Sequence, residues 1–222
     1  MRTKLNELER DALAEAFNLA VGEAAASFGG IVNEEIQVTV PEVEILSREI
    51  LVRRLVDLPS THNVSPKLCS ISQAFHSPDI QLSTEALLLF PERSGLDIVR
   101  RMLGDTGSTV EQVSELEQDA LGEVGNIIIN SCMSSLTLIF RTEMIGTLPT
   151  VDRVSPQDLF RNLAPDHVML VAHIGMSMSS QDVTGYVLFM MDLPSLTNVI
   201  QLVQRFFGLP DEPGSAPNEG DS

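Results

Sequence analysis

Apolar positions along the chain follow two periods. Leu13, Phe17, Ala20, Val21, Ala24 and Phe28 recur at helical spacing and predict a helix over about 5–29; a second such stretch covers about 112–138. After each helix comes a run rich in β-branched or alternating residues, 36–40 and 143–148, stopped by Pro41 and Pro149. Short helical stretches are predicted at 47–56 and 155–163. Paired strands follow, 69–75 with 81–90 and 167–177 with 183–191. Each series closes on a helix that stops at glycine, 94–103 before Gly104 and about 194–207 before Gly208. Gly29 and Gly30 read as the close of the first helix. Residues 209–222 are rich in Pro, Gly and acids without apolar periodicity, and read as a disordered acidic tail.

The two series are related. Glu-Leu-Glu-Arg-Asp-Ala-Leu-Ala-Glu-Ala-Phe-Asn at 7–18 matches Glu-Leu-Glu-Gln-Asp-Ala-Leu-Gly-Glu-Val-Gly-Asn at 115–126 in eight of twelve positions. Average composition would give about one match. The same offset of 108 carries Ser27 to Ser135, Ile31 to Ile139 and Pro41 to Pro149. Two copies suit two lobes of one domain, because a stacked repeat array needs more units. The expected fold class is therefore α+β, internally duplicated and pseudo-two-fold. Its antiparallel strands would be joined in one sheet, with a long surface helix from each half. One domain over 1–208, made of repeats at about 5–104 and 112–208, precedes the tail.

Composition narrows the partners. Thirty-one acidic residues against 14 Lys plus Arg give a formal net charge of −17, which repels nucleic acid and anionic lipid. Hydrophobic residues at 43% and charged residues at 20% fit a chain that folds. The longest apolar runs fall short of the roughly 20 residues that span a bilayer, and the amino terminus lacks a signal-peptide pattern, so no membrane insertion and a cytoplasmic location are expected. Cys69 and Cys132 are too few for a disulfide framework. His62, His76, His167 and His173 show no metal-ligand spacing, and His173 reads as a sheet histidine. Neither a nucleophile elbow nor a Gly-rich phosphate loop is present. No cofactor or metal of the chain's own is expected.

What stands out chemically is a polar stripe on each long helix. Glu7, Asp11, Glu15 and Asn18 are spaced 4, 4 and 3 apart and share one face, as do Glu115, Asp119, Glu123 and Asn126. Acids stacked four apart repel by a few tenths of a kcal/mol per pair, and an Asn inside a helix costs about 0.6 kcal/mol relative to Ala. Glu15 and Asn18 lie too deep to benefit from the helix macrodipole. A solvated face would explain one such stripe. The same Asp-x3-Glu-x2-Asn spacing twice, each followed 23 residues later by proline, argues for a function.

This pattern resembles the active-site signature of the CheC, CheX and FliY phosphatases of bacterial chemotaxis, met here as Asp11, Glu15, Asn18, Pro41 and as Asp119, Glu123, Asn126, Pro149. Gly122-Glu123-Val124-Gly125-Asn126-Ile127 and Phe90-Pro91-Glu92, leading to Met102-Leu103-Gly104, are also similar to CheC. The resemblance covers about residues 5–208. It implies a phosphatase that hydrolyses the phospho-aspartate of a CheY-type response regulator, with Mg²⁺ carried by that partner. It also implies the catalytic set Glu15, Asn18, Glu123 and Asn126. A neutral amide both donates and accepts hydrogen bonds, which suits Asn18 and Asn126 to holding a water in line with the phosphorus. Glu15 and Glu123 would pair with the regulator's lysine. Asp11 and Asp119 would support the helix or the contact rim, and Pro41 and Pro149 the strand exit beside it.

One departure bears on the ranking of the two sites. The family commonly carries Gly before the Asn, as at Gly125, whereas the first copy has Phe17. Phe17 is either a core residue on the opposite face or an obstacle beside Asn18; the second case would make Asn126 the more active. Two other functions stay open: a non-catalytic interaction module resembling the FliM middle domain, and an adaptor for the receptor deamidase CheD.

Overall fold

The computed structural model describes all residues except 1–3, 33–34, 41, 58–66, 81, 105–114, 179–180, 192 and 210–222. The expected tail therefore lies outside the described residues apart from Leu209. The first half runs α1 (Glu7–Val32), β1 (Gln37–Thr39), β2 (Val43–Ser47), α2 (Arg48–Val56), β3 (Leu68–Ser77), β4 (Leu82–Pro91) and α3 (Glu92–Met102). The second repeats that order as α4 (Glu115–Phe140), β5 (Ile145–Gly146), β6 (Thr150–Val154), α5 (Pro156–Leu159), β7 (Val168–Met178), β8 (Gln181–Met190) and α6 (Leu193–Phe207).

All eight strands join one antiparallel sheet of order β1-β7-β8-β4-β3-β5, with β2 also on β7 and β6 also on β3. The long strands β4 and β8 meet at the centre, pairing Leu87 with Leu188. The short strands change sides: β1 and β2 of the first half line the β7 of the second, while β5 and β6 line β3.

Alternation of side chains then sends two apolar sets to opposite faces. On one face α1, α3, α4 and α6 cover Ile71, Phe75, Ala86, Leu88, Phe90, Leu170, Ala172, Ile174, Val187 and Phe189. On the other, α2 and α5 cover Leu68, Leu87, Leu89, Met169, Val171, Tyr186 and Leu188 with Leu51, Leu55 and Phe160. Because both faces are covered, central β4 is buried from Ala86 to Phe90 without alternation. Arg48 Nε donates to Phe160 O at 2.7 Å, tying α2 to α5.

The long helices lie at the surface with one face packed inward: α4 buries thirteen of its residues, and its Ser135 Oγ donates to Ala16 O of α1 at 2.7 Å. By length and composition α4 could cross a membrane, and just over half of its most apolar window is buried inside the fold. Helix α1 continues through Gly29-Gly30 to Val32 instead of stopping there. Strands β2 and β6 fall between the segments whose pattern predicts strand or helix. Their burial does not alternate strictly, and Glu44, Asp152 and Arg153 interrupt their apolar residues. Gly104 and Gly208 do stop α3 and α6, at φ +72° and +63°, a region in which other residues are strained.

Candidate functional site

Both stripes are presented outward. Glu7, Asp11 and Glu15 on α1, and Glu115, Asp119 and Glu123 on α4, are exposed; Asn18 and Asn126 are half-buried at the line where each helix meets the sheet. Pro149 is half-buried, and Pro41 lies outside the described residues.

The residues between the stripe positions hold each helix down, and they differ. Phe17 is fully buried and stacks on Phe189, ring centroids 5.6 Å apart and planes 13° apart. It is a core residue, the first of the two readings open for it, so it does not crowd Asn18, and the argument from crowding for ranking the sites falls. At the equivalent Gly125 a Cβ would sit 2.3 Å from Ile71 Cγ2 and 2.8 Å from Ile71 Cβ. The helix α4 approaches β3 too closely there for any side chain, whereas a phenyl ring separates α1 from its sheet.

The two amides have different partners. Asn18 Nδ2 donates to Val40 O at 2.9 Å, and the Val40 N–H donates to Asn18 Oδ1 at 2.7 Å. The oxygen and one of the two N–H groups of that amide are engaged by Val40, just past β1, and Val40 is buried. Asn126 is held on its own helix: its Oδ1 accepts from Asn130 Nδ2 at 2.8 Å. Among the described residues no acceptor takes the Asn126 Nδ2 hydrogens. Leu148, the counterpart of Val40, is 87% exposed instead of clamped.

Two further acids matter to the frame, and neither belongs to the stripe. Glu9 and Glu117, again 108 apart, are buried. Glu9 Oε2 accepts from the Asn6 N–H at 2.8 Å while the Glu9 N–H donates to Asn6 Oδ1 at 2.9 Å, a reciprocal helix cap. Gln204 Nε2 of α6 donates to Glu9 Oε1 at 2.6 Å, and Arg100 Nε of α3 to Glu117 Oε1 at 2.8 Å. Each long helix is thus anchored by the last helix of the other half. The pattern Asn6-x2-Glu9 is a capping signal in the sequence; the long-range partners left no local trace.

Elsewhere, His173 Nε2 lies 2.8 Å from Glu44 Oε1, on the α2 face of the sheet. Ligand atoms of Glu42, Glu44 and His173 lie within 4.8 Å of one another, close enough for a metal ion. Arg54 competes for the same oxygens, bonding Oε1 and reaching Oε2 at 3.2 Å. Partial burial pushes the Glu44 carboxyl up, but the Arg54 and His173 hydrogen bonds overcome this and leave it below the usual range. Cys69 and Cys132 are free and buried, and burial pushes their thiols up to about 11 and about 12, so neither is a ready nucleophile.

The molecule is thus an α+β protein whose single antiparallel sheet carries two matching helices, each displaying an acid and an amide at its edge. No family model matches the chain. It is 24% identical over 177 residues to the flagellar motor switch phosphatase FliY of Bacillus subtilis, covering 75% of this chain but only 42% of that protein. It is 22% identical over 173 residues to the CheY-P phosphatase CheC of the same organism, covering 77% of each. The crystal structure of Thermotoga maritima FliY superposes with a TM-score of 0.69 at 18% identity, over 92% of this chain and 98% of that one. The FliM middle domain of H. pylori superposes with a TM-score of 0.61 at 12% identity, over 89% and 99%. The chain is thus similar in sequence to FliY and CheC, and shares its fold with both FliY and the FliM middle domain.

Proposed function

We propose that the chain is a cytoplasmic phosphatase acting on the phospho-aspartate of a CheY-type response regulator in chemotaxis signalling. The observation that carries this reading is Asn126, an amide with unengaged N–H groups on an exposed helix face. Glu123 stands one turn before it, in a chain similar to proteins named as phosphatases. Glu123 would pair with the regulator's lysine and set the register. Asn126 would hold a water in line with the phosphorus. The water oxygen bonds to phosphorus, the bond to the aspartyl oxygen breaks, and inorganic phosphate leaves with the water's proton given up to solvent. Mg²⁺ on the partner would neutralise the phosphoryl oxygens; this chain's residues supply position and a polar contact. Asp119 and Pro149 would frame the site.

The same residue types at Glu15 and Asn18, with Asp11 and Pro41, form a second candidate. For Asn18 to turn its amide outward as Asn126 does, both bonds to Val40 must be given up. At about 0.5–1.5 kcal/mol net per hydrogen bond, that lowers the first site by about 5- to 150-fold relative to the second. Catalysis is therefore assigned mainly to Asn126.

The similarity in fold to the FliM middle domain supports a second reading, an interaction module without turnover. Colorimetric phosphate release from a phosphorylated CheY-type regulator separates enzyme from module. The wild type should accelerate release and the Glu15/Asn18/Glu123/Asn126 quadruple alanine variant should not; equal rates support the module.

A further inference from the structure

Asn18 and Asn126 occupy equivalent turns of α1 and α4, yet their amides take different partners. Four residues on, α1 has Gly22 and α4 has Asn130. Residues four apart on a helix are neighbours, so Asn130 can reach Asn126 while Gly22 offers no side chain. Asn130 Nδ2 lies 2.8 Å from Asn126 Oδ1, 2.7 Å from Asn126 O and 3.5 Å from Gln73 Oε1. Gln73 is a buried polar residue on the helix-facing side of β3, between Ile71 and Phe75, and its Nε2 donates to Thr147 O at 2.7 Å. A row of three amides thus runs from the chain beside exposed Leu148 to the stripe of α4.

We propose that Asn130 is the positioning residue of the second site, fixing the Asn126 amide by its oxygen so that the Nδ2 hydrogens face outward, with Gln73 backing it from the sheet. This rests on the phosphatase reading of Asn126. The terminal torsion of an Asn side chain is broad and roughly two-fold, so an untethered amide presents nitrogen and oxygen interchangeably. A donor fixed beside the oxygen removes one of the two orientations. In α1 the same selection is made by Val40, which takes both ends of the amide and turns it to the strand.

The test is steady-state phosphate release with the full chain and a phosphorylated CheY-type regulator, alongside binding of the beryllofluoride-activated regulator with Mg²⁺. Asn126→Ala is the control: if its turnover equals wild type, the phosphatase reading of this site fails and the proposal with it. Given a loss there, Asn130→Leu should lower kcat about tenfold with KM and regulator affinity unchanged. Asn130→Asp, nearly the same size, accepts instead of donating, inverts the amide and should lower kcat at least as far; it serves if Asn130→Leu folds poorly. In the Asn126→Ala background, Asn130→Leu should cost nothing more. Wild-type kcat in the Asn130 variants, a rise in KM alone, or an undiminished further loss in the double variant overturns the proposal.

Discussion

The edge of α1 at Asn18 and the edge of α4 at Asn126 carry the same stripe, yet the first is closed and the second open. At Asn18 the amide is bonded at both ends to buried Val40, just past β1; at Asn126 it is bonded at one end, on its own helix. Nothing in the stripe differs. The difference comes from residues behind it: Phe17 against Gly125, which set how near each helix lies to the sheet, and Gly22 against Asn130, which set whether the amide has a local partner. Matching surface chemistry can thus be given separate tasks by the layer beneath it.

The comparison is most sharply broken at the core positions. Phe17→Ala should destabilise the protein by about 3–5 kcal/mol by opening a cavity against Phe189. Gly125→Ala should cost about 1–3 kcal/mol by overpacking Ile71; denaturant midpoints measure both, and a neutral Gly125→Ala means that α4 is not held by close approach. Next in size is turnover: Asn126→Ala should lose about 100-fold in kcat while Asn18→Ala stays near wild type. A larger loss from Asn18→Ala reverses the ranking of the sites. Stability should show the opposite order. Asn18→Ala leaves the Val40 N–H and C=O without their side-chain partner and should cost about 1–3 kcal/mol, whereas Asn126→Ala should cost under about 1 kcal/mol. The smallest effect is a gain. A Cβ at Gly22 meets nothing within 4 Å, so a side chain fits there. Gly22→Asn in the Asn126→Ala background should recover about two- to fivefold of turnover by drawing Asn18 away from Val40; no recovery means the strand contact wins regardless.

Much of this was legible in the sequence because it was local. Helical period and the doubled motif located α1, α4 and both stripes to within three residues, and the glycine stops located the ends of α3 and α6. The polarity of the stripes matches the exposure of their acids, while Asn18 and Asn126 are half-buried. The short strands were harder. Glu44 in β2 looks solvated but is held by Arg54 and His173, and the charges of β6 hide its pairing with β3. The state of each amide could not be read, because it depends on contacts from Asn18 to Val40 and from Asn130 to Gln73 that leave no periodic signal. Phe17 was the informative departure, but for a different reason: it marks how far the helix stands off the sheet, and it does not obstruct its neighbour.

The exchange of short strands between the halves makes them mechanically inseparable. A chain severed between α3 and α4 would leave the β3–β4 hairpin intact but strip β1 and β2 of β7, and β3 of β5 and β6. Such a fragment would expose bare ladder edges and the buried Glu9 without Gln204. Neither amide could then be studied on a solitary module; the open edge exists only because the closed one completes its scaffold.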